Sequence, residues 1–236
     1  LARKKNISVS THPFDLRDRE KIESLPIEVL RNWGSIRDYS NLSTLKDFKS
    51  KNNLTGKIIF FYGGNIGPAQ DLPALIKALK PLDSLASAHF ILLGEGDDFD
   101  KVKILLKDLD LKNFSLMHSV SQLEFDEILK CVDVGLFSLS SKHNTQNFPG
   151  KLLGYMQHKI PILGLVNKDN DLKQIIENAN AGYIFHHNQD KKLVQQAKEL
   201  ATSKDLRISK GNGAHSLLKS EFSTLAACKK IISHLK

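Results

Sequence analysis

The sequence predicts an α/β protein in which a parallel sheet is covered on both faces by helices. Two observations carry this. From Gly56 onward, six short apolar runs recur, the first two of them ending at glycines. Each run is followed by a segment with apolar residues at helical spacing, and strands that are apolar throughout and separated by amphipathic helices are best explained by a sheet buried on both sides.

Taken in order, Lys57–Tyr62 is the first strand, ending at Gly63-Gly64, and Asp71–Leu82 is its helix, with Leu72, Leu75, Ile76 and Leu79 on one face. His89–Leu93 leads through Gly94-Glu95-Gly96 to a helix over Phe99–Leu109. Phe114–His118 leads to Gln122–Cys131, and Val132–Phe137 leads through a long polar loop to Gly150–His158. Pro161–Val166 precedes a helix at Leu172–Asn178, and Gly182–Phe185 precedes one at Asp190–Ala201. In such a sheet ligands collect beyond the carboxyl ends of the strands, near the reversal of strand order. That rule selects the loops at 63–70, 94–98, 119–121, 138–150 and 167–171.

The flanks read differently. Residues 1–53 are poorly periodic and broken by Pro13, Pro26 and Gly34. After Lys204, Ser209-Lys210-Gly211-Asn212-Gly213 reads as a flexible break. Ala214–Leu235 then reads as a helix with Leu217, Leu218, Phe222, Leu225, Ile231 and Ile232 on a broad stripe. Packing on the sheet, docking a missing domain and lying on a membrane surface are the three uses open to that stripe, the last disfavoured because it lacks an aromatic border.

Composition excludes several classes. With 236 residues, 41% hydrophobic and 25% charged, the chain can bury a real core. No apolar stretch approaches the ~20 residues that span a bilayer, and the basic first residues lack the apolar run of a secretory signal. Cys131 and Cys228 are far apart and outside any redox motif. The net charge of +8 fits nucleic acid, an acidic membrane or a phosphorylated substrate equally. There is no nucleophile elbow, no P-loop and no full dinucleotide fingerprint. His186-His187 with Asp190 lacks the spacing of a metal site.

The candidate site residues lie at strand ends. Gly63-Gly64-Asn65-Ile66-Gly67 follows a strand and precedes a helix, so it is a loop that lets backbone approach a phosphate, or a plain tight turn. Asn65 and Gln70 supply neutral hydrogen bonds to a ligand or to the loop itself. Glu95 accepts from a sugar hydroxyl or caps a turn. His118, Ser119 and Val120 offer a backbone contact to a nucleobase, or fill a surface niche. Asn147-Phe148-Pro149-Gly150-Lys151 is a rigid turn feeding a helix, in which Pro149 suits the helix start, Gly150 admits a ligand and Lys151 adds charge to free helix N–H groups. Helix starts ordinarily prefer acids, so Lys151 points to a phosphate more than a lysine elsewhere would.

Taken together, Gly64-Asn65-Ile66-Gly67-Pro68-Ala69-Gln70, Gly94-Glu95-Gly96, Asp133-Val134-Gly135, Pro149-Gly150-Lys151-Leu152-Leu153-Gly154-Tyr155-Met156 and His158-Lys159-Ile160-Pro161 resemble the C-terminal donor-binding domain of glycosyltransferase family 4, over roughly residues 54 to 200. The nearest likeness is to its branch of bacterial surface-polysaccharide and fucosamine-type transferases. The resemblance implies a Rossmann-like sheet forming the C-terminal half of a GT-B fold, and retaining transfer of a sugar from a nucleoside-diphosphate sugar to a lipid-linked or polysaccharide acceptor. It implies no separate cofactor, no metal and no nucleic-acid partner. A cytoplasmic location, with peripheral contact at the inner face of the membrane, also follows. The donor-binding residues it implies are Gly64, Asn65, Gly67, Gln70, Glu95, Val120, Asn147, Phe148, Pro149, Gly150 and Lys151; it assigns no catalytic residue.

By the same resemblance, 1–53 is a remnant of a first GT-B domain and its linker, with Pro26–Gly34 as the joining segment. Residues 54–204 are the nucleotide-sugar domain and 205–236 a helical tail. Nearly all of the acceptor domain is then missing, and the chain alone is expected to be inactive. Gly154 stands where the family's ribose-binding Glu is expected, and Gln146 stands at the partner position. Losing a charge-assisted bond costs ~1.5–3 kcal/mol, so a degenerate nucleotide-binding domain is the alternative. An epimerase or dehydrogenase of the α/β class is a third reading.

Overall fold

A computed structural model describes residues 30–36, 48–142, 148–168 and 170–234. Asn147, Gln146, Leu235 and most of the expected linker, including Pro13 and Pro26, lie outside the described residues.

After a one-turn helix α1 (Phe48–Lys51), the strands and helices alternate: β1 (Ile58–Gly63), α2 (Leu72–Leu79), β2 (Ala88–Leu93), α3 (Phe99–Asp108), β3 (Phe114–Met117), α4 (Gln122–Leu129), β4 (Val134–Ser138), α5 (Gly150–Gln157), β5 (Ile162–Val166), α6 (Leu172–Asn178), β6 (Gly182–His186) and α7 (Asp190–Thr202). The six strands form one sheet in the order β3-β2-β1-β4-β5-β6, with every pair parallel. This is the expected Rossmann-like arrangement. Strand order reverses between β1 and β4, where the chain turns from building one half of the sheet to building the other.

The alternation of strand side chains divides the core into two layers. Ile59 and Phe61 face one side with Ile91, Phe137 and Tyr155, while Phe60 and Tyr62 face the other with Phe90, Leu92 and Leu136. On the second side Phe60, Phe90 and Phe114 stack across three strands, with ring centroids 4.9 and 4.4 Å apart. Each such buried ring contributes roughly 1.5–3 kcal/mol of burial. α4 is started by Ser121 and Glu124, each side chain bonded to the other's backbone N–H.

The outer edge of β6 is closed by side chains. Glu177 Oε1 accepts from Ile184 N–H at 3.3 Å and Lys173 Nζ donates to Ile184 O at 2.7 Å. The two residues, one turn apart on α6, are also ion-paired. Together they occupy the donor and acceptor that a further strand would use.

The C-terminal region differs from the sequence expectation in two ways. Ser209–Gly213 is not a break but lies inside α8 (Lys204–Leu217). A Cβ on Gly211 would stand 2.0 Å from the Lys159 carbonyl oxygen, and one on Gly213 2.4 Å from that of Asn180. The glycines are there to bring α8 against the turns before β5 and β6, which costs helix propensity but is offset by packing. The expected Ala214–Leu235 helix is also split: a π-helical turn at Leu218–Phe222 ends at extended Ser223, whose hydroxyl caps α9 (Thr224–Ser233) by accepting from Ala226 N–H at 3.1 Å. There Gly34 pairs with Ser223 as in a parallel bridge, giving its N–H to Phe222 O at 2.9 Å and accepting from Thr224 N–H at 3.1 Å. Leu217, Leu218 and Phe222 are buried, while Leu225 and Ile232 are exposed. No helix among the described residues is long and apolar enough to cross a membrane.

Candidate functional site

The loops beyond β1, β2 and β4 meet at the strand-order reversal. Gly64, at φ 129°, turns the chain out of β1, and its carbonyl oxygen would lie 1.8 Å from a Cβ placed on Gly94. Only glycine at 94 lets the two backbones approach so closely. The contact is locked by Gly64 N–H to Leu93 O at 2.9 Å, Ile66 N–H to Glu95 O at 2.7 Å and Asp98 N–H to Ile66 O at 3.0 Å. On the other side, Ser140 N–H donates to Ala69 O at 2.9 Å, so the start of the loop after β4 is fastened to the loop after β1.

Lys151 completes this corner. Its Nζ lies 3.7 Å from the centre of the Tyr62 ring and would be 3.2 Å from a Cβ on Gly64. The side chain as a whole is half-buried, yet Nζ is sealed from solvent and has no hydrogen-bond partner among the described residues. A desolvated cation over an aromatic face gains about 2 kcal/mol, whereas burying an unpaired ammonium costs several kcal/mol. The desolvation wins, and the Lys151 pKa falls to about 7. Tyr62 is held in place from its other end, its hydroxyl donating to Asn65 O at 2.6 Å.

Lys151 stands in the first turn of α5, whose N-cap is Pro149, extended and without a side-chain cap. Gly150 begins the helix, and among the described residues a Cβ there would find only Asn32 Nδ2, at 3.8 Å. A helix start without a side-chain cap, beside a lysine nitrogen that has no hydrogen-bond partner among the described residues, is suited to an anion.

The expected site residues therefore divide. Gly64, Asn65, Gly67, Gln70 and Lys151 come together, with Pro149 and Gly150 at the adjoining helix start. Asn65 Nδ2 donates to Gln70 Oε1 at 2.8 Å, a clasp over Gly67. Glu95 belongs to the same corner through its backbone, but its carboxylate is engaged by His118 Nδ1 at 2.8 Å and by Ser119 N–H at 3.3 Å. The His118 bond is the main cause that lowers the Glu95 pKa. Val120 is half-buried against the core. Phe148 turns toward the C-terminal region and stacks on Phe222, with centroids 4.0 Å apart. At Gly154 a Cβ would meet Leu129 Cδ1 at 3.5 Å, an ordinary contact. His187 Nε2 is within 2.7 Å of Leu139 O, and among the described residues no group of three His, Cys, Asp or Glu is placed to hold a metal ion.

Two residues at this corner are not evident from the sequence pattern. Tyr62 reads only as the last apolar position of β1, yet it is the seat of Lys151. Tyr155 reads as a core position of α5, yet its hydroxyl enters the sheet between β1 and β4. There it accepts from Gly63 N–H at 3.3 Å and donates toward Phe61 O and Leu136 O, at 3.1 and 3.2 Å. The signal for Tyr155 is Gly135, where a Cβ would lie 2.5 Å from the ring.

The fold and this corner define an α/β domain with a buried lysine at the sheet switch. The family of glycosyl transferases group 1 matches residues 43–215, and the chain belongs to that family. No curated protein sequence matches it. Among solved structures it is similar to S. aureus TarM, a point mutant in complex with fondaparinux, alpha-GlcNAc-glycerol and UDP (15% identity, TM-score 0.72, covering 98% of this chain and 44% of that one). It is similar also to Anabaena Alr3699/HepE in complex with UDP and glucose (13% identity, TM-score 0.73, 99% and 63%). The C-terminal domain of a group 1 glycosyl transferase, LpcC from Francisella tularensis, matches with 16% identity and TM-score 0.61, over 80% of this chain and 99% of that domain. The chain thus spans less than two thirds of TarM and of HepE.

Proposed function

We propose that this chain is the donor-binding half of a retaining, family 4-type glycosyltransferase. It takes a sugar from a nucleoside-diphosphate sugar for transfer to a hydroxyl of a lipid-linked or polysaccharide acceptor, in the fucosamine-type branch that its glycine loop and lysine turn resemble. The observation that carries this reading is the Lys151 amino group, without a hydrogen-bond partner among the described residues, beside the Gly64 loop at the carboxyl edge where the sheet order reverses. The UDP present in the TarM and HepE structures supports a nucleotide as the ligand. Lys151, the α5 start and the Gly64 backbone would stabilise charge growing on the departing diphosphate, so the chain acts by electrostatics and positioning. The scheme calls for no metal and no separate cofactor. An acceptor site is left to a preceding domain, and work at the inner face of the membrane fits a lipid-linked acceptor.

Calorimetric titration with UDP-, GDP- and dTDP-glucose tests the reading. We expect weak saturable binding, roughly millimolar, and Lys151→Ala is expected to weaken the diphosphate sugar far more than the matching nucleoside. No saturable heat from any of the three, in a folded sample, would overturn the reading. The 236 residues alone are expected to show little transfer, with turnover appearing when a first GT-B domain is joined upstream.

A second reading, a nucleotide-binding domain without catalysis, is favoured by Gly154 standing where an acid is expected and by the Asn65–Gln70 clasp, in which two expected ligand groups satisfy each other. Robust transfer by the joined protein would remove it.

A further inference from the structure

We propose that above neutral pH Lys151 is mostly a neutral amine in the ligand-free protein and takes up a proton when a phosphate group arrives, so that donor binding there is coupled to protonation of this one nitrogen. The inference rests on the reading above that Lys151 faces the donor's diphosphate.

Four observations carry it. Nζ is sealed from solvent and has no hydrogen-bond partner among the described residues. It packs on the Tyr62 ring and the Gly64 backbone, which supply a polarisable face and a glycine but no negative charge. Among the described residues the titratable group in contact with it is Tyr62 on β1, and burial pushes that phenol well above its ordinary range, so it does not become an anion near neutral pH. Arg31, in the segment that reaches the α5 start through Asn32, is engaged in an ion pair with Asp171. Desolvation alone therefore sets the balance, holding the amine near half-protonation at about pH 7.

The step is a simple proton transfer. A buffer acid loses its proton to the Nζ lone pair, one N–H bond forms, and the new ammonium is paired at once by a phosphate oxygen. The opposite charge returns the nitrogen to the ordinary lysine range. Donor phosphate thus supplies the counter-ion that the protein withholds, and above neutral pH most of the charge appears only on binding.

The test is calorimetry of the complete 236-residue chain with the nucleoside-diphosphate glucose that binds best of the UDP, GDP and dTDP forms, whose phosphate diesters do not titrate in the range used. Titrations at pH 6 and pH 8, each in two buffers of different ionisation enthalpy, give the number of protons taken up. From a starting value of about 7, we expect uptake of about 0.9 proton at pH 8 and about 0.1 at pH 6, with affinity about tenfold weaker at pH 8. Lys151→Arg, which stays charged, is expected to bind with no proton uptake at either pH. Wild-type binding at pH 8 without proton uptake, or uptake that survives in Lys151→Arg, would overturn the inference and leave the donor reading standing. Absence of binding by any of the three sugars would overturn both.

Discussion

The Tyr155 hydroxyl lies 3.3 Å from the Gly63 nitrogen, closing the gap where β1 and β4 part at the sheet switch. Cα register between these strands extends only over Phe60 with Val134 and Phe61 with Gly135. One phenol therefore stands in for the next rung of the ladder and fixes where the Gly64 loop begins.

Tyr155→Phe is accordingly expected to cost about 1–3 kcal/mol, because it leaves buried backbone groups without their partner. Urea unfolding would measure the loss. Hydrogen exchange should quicken selectively at Gly63, and an unchanged rate there would show that the hydroxyl does not hold the strand end.

Gly94→Ala should be among the most damaging single-methyl changes. The new carbon would meet the Gly64 carbonyl oxygen at 1.8 Å, at a φ of 155° that side chains rarely adopt. Loss of more than about 2 kcal/mol, or failure to fold, is expected, as read by thermal unfolding.

Stability of the ligand-free protein should rise with pH across the range set by Lys151. Its pKa is about 7 when folded, against an ordinary 10.5. Between these values the unfolded chain binds more protons, so folding is favoured as pH increases, and the full cost of the buried charge is felt only below about pH 7. Lys151→Met should therefore stabilise the protein at pH 6, by on the order of a few kcal/mol, with the gain shrinking toward pH 10. Denaturant midpoints for both proteins at the two pH values would show the convergence.

Glu177→Ala removes the acceptor that covers Ile184 N–H on the β6 edge and leaves Lys173 without its ion-pair partner. A loss of about 1 kcal/mol is expected, together with concentration-dependent association through the opened edge. Light scattering against wild type would detect the latter.

Gly154→Glu should strengthen donor binding roughly ten- to hundredfold if an acid at this position reaches the ribose. The contact with Leu129 leaves ordinary van der Waals room for the first carbon. An unchanged titration would give Gly154 a packing role instead.

The sheet is legible in the sequence because each strand is a continuous apolar run, and continuity is what burial on two faces requires. The glycines at 64, 94 and 96 are legible as strand ends, and Lys151 as an odd residue for a helix start. Contacts across long sequence separation are not: nothing local marks Tyr62 as the partner of a lysine one sheet-half later in the chain. Gly211 and Gly213 mislead for the same reason, since a glycine that loosens a loop and one that admits a neighbouring carbonyl look alike until the neighbour is known. Phe148 reads as a ligand neighbour from the residues around it, and its stacking on Phe222 is a contact that nothing local announces.

The bridge between Gly34 and Ser223 makes a closed circuit of the chain. The segment leading toward β1 is joined to the segment leaving α8 by the bonds of Gly34 with Phe222 and Thr224. A pull on residues 30–36 is thus shared between the α8–α9 junction, reached in shear through Gly34, and the start of α6, reached through the Arg31–Asp171 ion pair. Because Asn32 of the same segment comes within 3.8 Å of where a Cβ on Gly150 would stand, the tether also touches the turn that carries Lys151.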